Sequence, residues 1–198
     1  MACMTFEPYA ARTHDKMKDV LMSPEATGPA IHYYMVRGGS KKNNVTVMET
    51  GTVGGEYIKT YGHYHIGNLD ETYRFVEGSG VVLQQKLVVE DGVSQPERVE
   101  EFKAILVRQG DSVYMPPGYG HLMVNVGDTW LVMMDDSPVD GAEDSASMPG
   151  HADYEAVKKM QGFAYYVVEH NGKPALKANP RYSEIRSADF GGLEVIAE

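Results

Sequence analysis

Three histidines and one glutamate stand at spacings that can gather their side chains around one metal ion. His63 and His65 lie two residues apart in Gly62-His63-Tyr64-His65, and a strand points alternate side chains to one face, so both imidazoles can reach the same ion. Gly67-Asn68 is a turn dipeptide, and the chain returns through Thr72-Tyr73-Arg74-Phe75-Val76 with strand composition. Glu71, Tyr73 and Phe75 then share a face; if it lies opposite the two histidines, a carboxylate and a phenol join the site. The third imidazole belongs to Gly110-x5-Pro116-x-Gly118-x2-His121-x3-Asn125, where a turn, a short strand and a rigid Pro-Gly corner lead into a strand beginning at His121. Neutral imidazole with carboxylate suits borderline divalent first-row ions rather than a hard ion that prefers oxygen alone. Four such ligands leave a position open for water or substrate, as in a catalytic site.

Other residues carry weaker signals. His14, His32 and His170 complete no constellation and read as surface or edge-strand residues. Tyr114 reads as a core aromatic, whereas Tyr73 stands evenly between core and substrate contact. Gly62, inside a strand pattern, marks a bulge or a close backbone approach to a ligand. Strict alternation puts Thr60 on the face away from His63, so a shared ligand requires an irregularity at that glycine.

The segments that must carry these residues are mostly strands. Period-two composition and turn signals predict strands at 31–36, 45–49, 56–61, 72–77, 80–89, 104–107, 112–115, 121–126, 130–134, 164–168 and 174–177. Short helices are predicted at 15–21 and 154–160, and the polar stretch 140–150 reads as a long loop. Regular short strands with Gly and Pro corners make an all-β barrel or jelly roll. A chain of 198 residues implies one domain. Its 28 acidic against 18 basic residues, net −10, disfavour nucleic acid or an anionic membrane as partner. The lone Cys3 excludes an intrachain disulfide, and no run of apolar residues suggests a signal peptide or a membrane span. A soluble, cytoplasmic protein is expected.

These motifs resemble those of the cupin superfamily: H-x-H, a spacer, E-x6-G (Glu71 to Gly78), and then G-x5-P-x-G-x2-H-x3-N (Gly110 to Asn125). The long spacer before Glu71, the stretches 45–47 and 57–63, Gly150-His151-Ala152-Asp153-Tyr154 and Asn179-Pro180-Arg181-Tyr182 narrow the resemblance. Over roughly 30–182 they look like the cupin-type glucose-6-phosphate isomerases of archaea and some bacteria. The resemblance implies a cupin domain at 30–182 between an N-terminal peripheral segment, 1–29, and a C-terminal extension, 183–198. It implies His63, His65, Glu71 and His121 as metal ligands, and Thr46, Thr60, Gly62, Tyr73, His151 and Tyr154 as substrate contacts. The spacer is about one residue shorter than in archaeal members, which makes Asp70 a rival ligand, although the intact E-x6-G favours Glu71. Residues 141–149 look inserted ahead of His151 and Tyr154.

As an activity, the resemblance implies aldose-ketose isomerisation of glucose 6-phosphate and fructose 6-phosphate, a step of glycolysis and gluconeogenesis. It also implies one divalent ion per subunit, Fe2+ first, with Mn2+, Ni2+ or Zn2+ tolerated, and a homodimer. The phosphate would be met by backbone N–H groups at Gly62, the threonine hydroxyls and Lys59. Glu71 is either the general base of a proton transfer or a ligand only, with hydrogen moving as hydride. Ligation lowers a carboxylate's basicity, which weighs against the first role. A cupin dioxygenase using ferrous iron and a non-enzymatic phosphosugar-binding cupin are the alternatives.

Overall fold

A computed structural model describes residues 10–36, 44–137 and 152–197, and within it alternate burial along each strand explains the first sheet. β1 (Ala10–Thr13), β2 (Ile31–Val36) and β3 (Asn44–Met48) pair antiparallel in sequence order. After β4 (Thr52–Val53), β5 (Glu56–Tyr57) and β6 (Tyr64–His65), β7 (Glu71–Glu77) buries Glu71, Tyr73 and Phe75 while exposing Arg74, Val76 and Glu77. That is the period-two signature of a sheet with one wet face.

β8 (Ser79–Glu90) and β9 (Val93–Arg108) form a long hairpin turning at Asp91-Gly92, both at positive φ, as a two-residue primed turn requires. β10 (Ser112–Met115), β11 (Tyr119–Asn125) and β12 (Leu131–Asp135) complete the barrel walls. One sheet has the order β1-β2-β3-β12-β7-β10, and the second contains β11-β8-β9. Tyr33, Met48 and Phe75 of the first and Leu83, Phe102, Leu122 and Met123 of the second share one buried cluster. The two sheets therefore pack face to face around a single core.

A further layer covers the back of the second sheet. β13 (Ala152–Asp153) pairs with β6, the short α2 (Glu155–Lys159) follows, and β14 (Tyr165–His170) and β15 (Lys173–Ala178) form a hairpin through Asn171-Gly172. Gln85, fully buried, joins the layers by donating to the hydroxyls of Tyr64 and Tyr182 and accepting from the Ala164 N–H at 2.9 Å. Three last strands, β16 (Glu184–Ile185), β17 (Ala188–Asp189) and β18 (Glu194–Ile196), add parallel to the edges of β9 and β15. Among the described residues no helix is long and apolar enough to cross a membrane.

Several expectations change here. The described part of 1–29 is not peripheral: β1 is a sheet strand, and α1 (His14–Met17) with the 3-10 turn Lys18–Val20 brings Met17, Val20 and Leu21 to 0–1% exposure in the main core. Each such side chain contributes about 1.5–3 kcal/mol by burial. His32 is fully buried against His14, their ring nitrogens 3.0 Å apart, because the chain from α1 folds back over β2. Tyr114 is 53% exposed, donating its hydroxyl to Asp70 on the outer face. The strand predicted at 104–107 is the end of β9, and that predicted at 56–61 stops at Tyr57. Cys3, the inserted stretch 141–149 and His151 lie outside the described residues.

Candidate metal centre and the cavity beside it

Beyond β5 the chain runs antiparallel to β11 without being a regular strand. Thr60 N–H donates to Met123 O at 2.8 Å, and His63 and His121 exchange backbone hydrogen bonds at 3.2 and 3.0 Å. Lys59 faces Val124 and His63 faces His121, so four steps along one side match three along the other. The extra residue is a β-bulge. Gly62, at φ +81°, takes the left-handed conformation the bulge needs. The alternation that would part Thr60 from His63 is thereby broken, and both line the same cavity.

The bulge hands His63 to a cluster. His63, His65, Glu71 and His121 offer ligand atoms that all lie within 4.8 Å of one another. His121 Nε2 stands 2.7 Å and His65 Nε2 3.5 Å from Glu71 Oε1. Imidazole centroids are 4.5 Å apart for His63 and His121 and 4.8 Å for His65 and His121. His65, Glu71 and His121 are 7%, 5% and 1% exposed. Glu71 Oε1 and both ring nitrogens of His121 are buried without an aligned hydrogen bond. Buried polar atoms that converge without such bonds are suited to a cation, and the donor set is that of a borderline divalent ion. His65 Nδ1 lies 3.1 Å from Leu69 O; a carbonyl can only accept, so Nδ1 carries the proton and Nε2 presents its lone pair to the site. Asp70, the rival ligand, is exposed and held by Tyr114.

Electrostatics follow from burial. Desolvation works against the Glu71 anion, but the imidazoles of His121, His65 and His63 outweigh it and hold the carboxyl well below its usual range. Desolvation lowers the His65 pKa, and the hydrogen bond and charge of Glu71 overcome it, leaving a net rise. Burial, followed by the charges of Glu71 and Asp135, keeps the Tyr73 phenol well above its usual value, hence protonated.

Beside the cluster opens a small cavity of about 60 Å³. Its wall contains His63 and Glu71 together with Thr46, Thr60, Gly62, Tyr73 and Tyr154, every described substrate-contact candidate from the sequence. Lys59 is not there: it is 3% exposed, ion-paired with Glu56 and donating to Val20 O at 2.6 Å. Sequence reasoning missed Arg12, Tyr33, Asp135 and Ser137, which also line the cavity. Arg12 and Tyr33 come from β1 and β2, ahead of both motifs, and only strand pairing brings them in.

Two packed antiparallel sheets with three histidines and a glutamate on their inner side define a cupin. The chain belongs to the glucose-6-phosphate isomerase family: the family model described as Glucose-6-phosphate isomerase (GPI) matches residues 30–184. Glucose-6-phosphate isomerase of Thermococcus litoralis is 34% identical over 139 residues, 69% of this chain and 62% of that protein. The Pyrococcus furiosus enzyme of the same name is 33% identical over 141 residues, 70% and 63% of the two chains. The chain thus spans somewhat over three fifths of the length of these relatives. Among solved structures, the cupin domain of Drosophila melanogaster CENP-C is similar at TM-score 0.36 and 14% identity, covering 60% of this chain and 79% of that one. The capsular polysaccharide assembling protein CapF of Staphylococcus aureus is similar at 0.39 and 20%, covering 60% and 30%. Overlaps of that size bear on neither mechanism nor substrate.

Proposed function

We propose that this chain is a metal-dependent glucose-6-phosphate isomerase that interconverts glucose 6-phosphate and fructose 6-phosphate. The observation that carries the reading is the meeting of the four-ligand cluster with a cavity lined by Thr46, Thr60, Gly62 and Tyr154. His63, His65, Glu71 and His121 would hold the ion. A bound divalent cation supplies Lewis-acid polarisation of the sugar's carbonyl and hydroxyl oxygens.

The chain's own residues do the rest. Threonine hydroxyls and the bulged backbone at Gly62 are neutral donors for a phosphate, and fixing that end sets the reacting carbons beside the cluster. Tyr73 and Tyr154 keep phenolic surfaces against the same space. Glu71, the carboxylate shared between cluster and cavity, would serve either as the base that moves a proton between C1 and C2 or as a ligand only, with hydrogen passing between the two carbons as hydride. Fe2+ is the first choice of ion, and a homodimer is the proposed assembly.

The test is a coupled assay of fructose 6-phosphate conversion by purified protein, before and after chelation and with each metal restored. Activity that falls at least tenfold on chelation and returns with Fe2+ or Mn2+ is expected. Undiminished turnover in metal-depleted protein removes the metal dependence, and no turnover under any condition removes the activity.

A further inference from the structure

The cavity beside the cluster is lined by two carboxylates, Glu71 and Asp135, in a chain of net charge −10. An ion held by the cluster would offset Glu71 and draw the sugar's reacting oxygens, which leaves Asp135 to oppose a phosphate dianion unless a second cation stands in the wall. Lys59 is turned away into its pair with Glu56, and the threonines and Gly62 offer only neutral donors. Among the described residues, Arg12 is the one permanent cation lining the space.

Its setting is built. Arg12 is 3% exposed and is the register partner of Tyr33 across β1 and β2, and its Nε donates to the Tyr33 hydroxyl at 3.1 Å. The β1–β2 register shifts between Arg12 and Thr13, an irregularity of the kind that re-aims a side chain. The guanidinium carbon lies 5.9 Å from the Tyr33 ring centroid and 5.7 Å from that of Tyr61, so aromatic faces hold the planar group in place. From there the wall continues: Tyr61 meets Tyr154 edge-on at 5.4 Å, and Tyr154 meets His63 at 5.4 Å. Arg12 and His63 therefore border one continuous run of aromatic side chains.

We infer that Arg12 binds the phosphate of the sugar substrate, so that a cation outside the family match, which begins at residue 30, anchors the end of the ligand remote from the reacting carbons. The inference rests on the reading of the cavity as a sugar-phosphate site. A guanidinium fork suits phosphate because its planar N–H donors can pair with two oxygens at once.

Calorimetry with sorbitol 6-phosphate, which lacks a carbonyl and cannot isomerise, tests it apart from turnover. Arg12→Met should weaken that binding roughly 100-fold and leave sorbitol binding and metal content unchanged. It should also raise KM for fructose 6-phosphate far more than it lowers kcat. Should the methionine variant not fold, Arg12→Lys keeps the charge and loses the fork, with roughly tenfold weaker binding expected. A folded variant that binds sorbitol 6-phosphate within twofold of the native protein overturns the inference, as does a native protein that binds it no better than sorbitol. A native enzyme that isomerises while Arg12→Met matches it in KM removes the role of Arg12 and leaves the proposed activity standing. Native binding without turnover does the reverse.

Discussion

His32 has no exposed surface, and its Nε2 meets His14 Nδ1 at 3.0 Å. Burial first, then the neighbouring His14 and Lys59, push its pKa from 6.5 down to about 4. The unfolded chain thus takes up a proton near pH 6.5 that the folded chain refuses until about pH 4. Stability falls as pH drops through that window, by on the order of 3 kcal/mol from this group. His32→Gln, which stays neutral throughout, should flatten the urea-denaturation stability curve between pH 6.5 and 4; a slope equal to that of the native protein would show that His32 does not carry the effect. None of this is readable from position 32, because the cover comes from the return of 14–30. There Gly28 approaches so closely that an added Cβ would sit 2.8 Å from His14 Nδ1. Tyr114 failed in the opposite sense, since an alternating strand presents whichever face the register dictates. The convergence of His63, His65, Glu71 and His121, by contrast, was legible because a shared binding geometry constrains residue type and spacing together.

The segment from Ile58 to His63 decides whether the cluster and the cavity share residues. Its one-residue bulge brings Thr60 and His63 to one side, and the bulge depends on Gly62 at φ +81°. A Cβ there would lie 3.2 Å from both Leu122 Cβ and Phe163 Cε1, and an L side chain resists that φ in any case. Gly62→Ala should therefore destabilise the fold by about 1–3 kcal/mol. It should also weaken metal binding, since the His63 ring is displaced with its backbone. Denaturation and metal titration of the variant check both, and a protein unchanged in both would mean that the bulge does not depend on glycine. The sequence flagged the irregularity but not its register, which needs the partner strand. β9 hid for another reason: Glu97, Arg98, Glu100, Glu101 and Lys103 lower strand propensity, yet a ladder to β8, interrupted by register shifts at Leu87, and the added β16 and β17 hold it extended.

The cluster draws its residues from four stretches: the bulged segment, β6, β7 and β11. A bound ion would tie both sheets together at one point, and none of these stretches alone could hold it. Binding to the folded state only would then stabilise the protein by about 4 kcal/mol at a thousandfold excess over Kd. For a chain of this size that corresponds to a rise in Tm of roughly 8–16 °C. The same reasoning explains why the barrel and the four-residue cluster were legible and the N-terminal wall was not. The motif residues converge on one point, whereas Arg12, Met17 and Leu21 answer to a core whose shape exists only after β1 has paired with β2. Thermal melts of metal-depleted and reloaded protein should show the rise, and His121→Ala should abolish it while lowering the metal-free Tm much less. A metal-free protein that melts at the same temperature as the loaded one would mean that these side chains converge for reasons of packing alone.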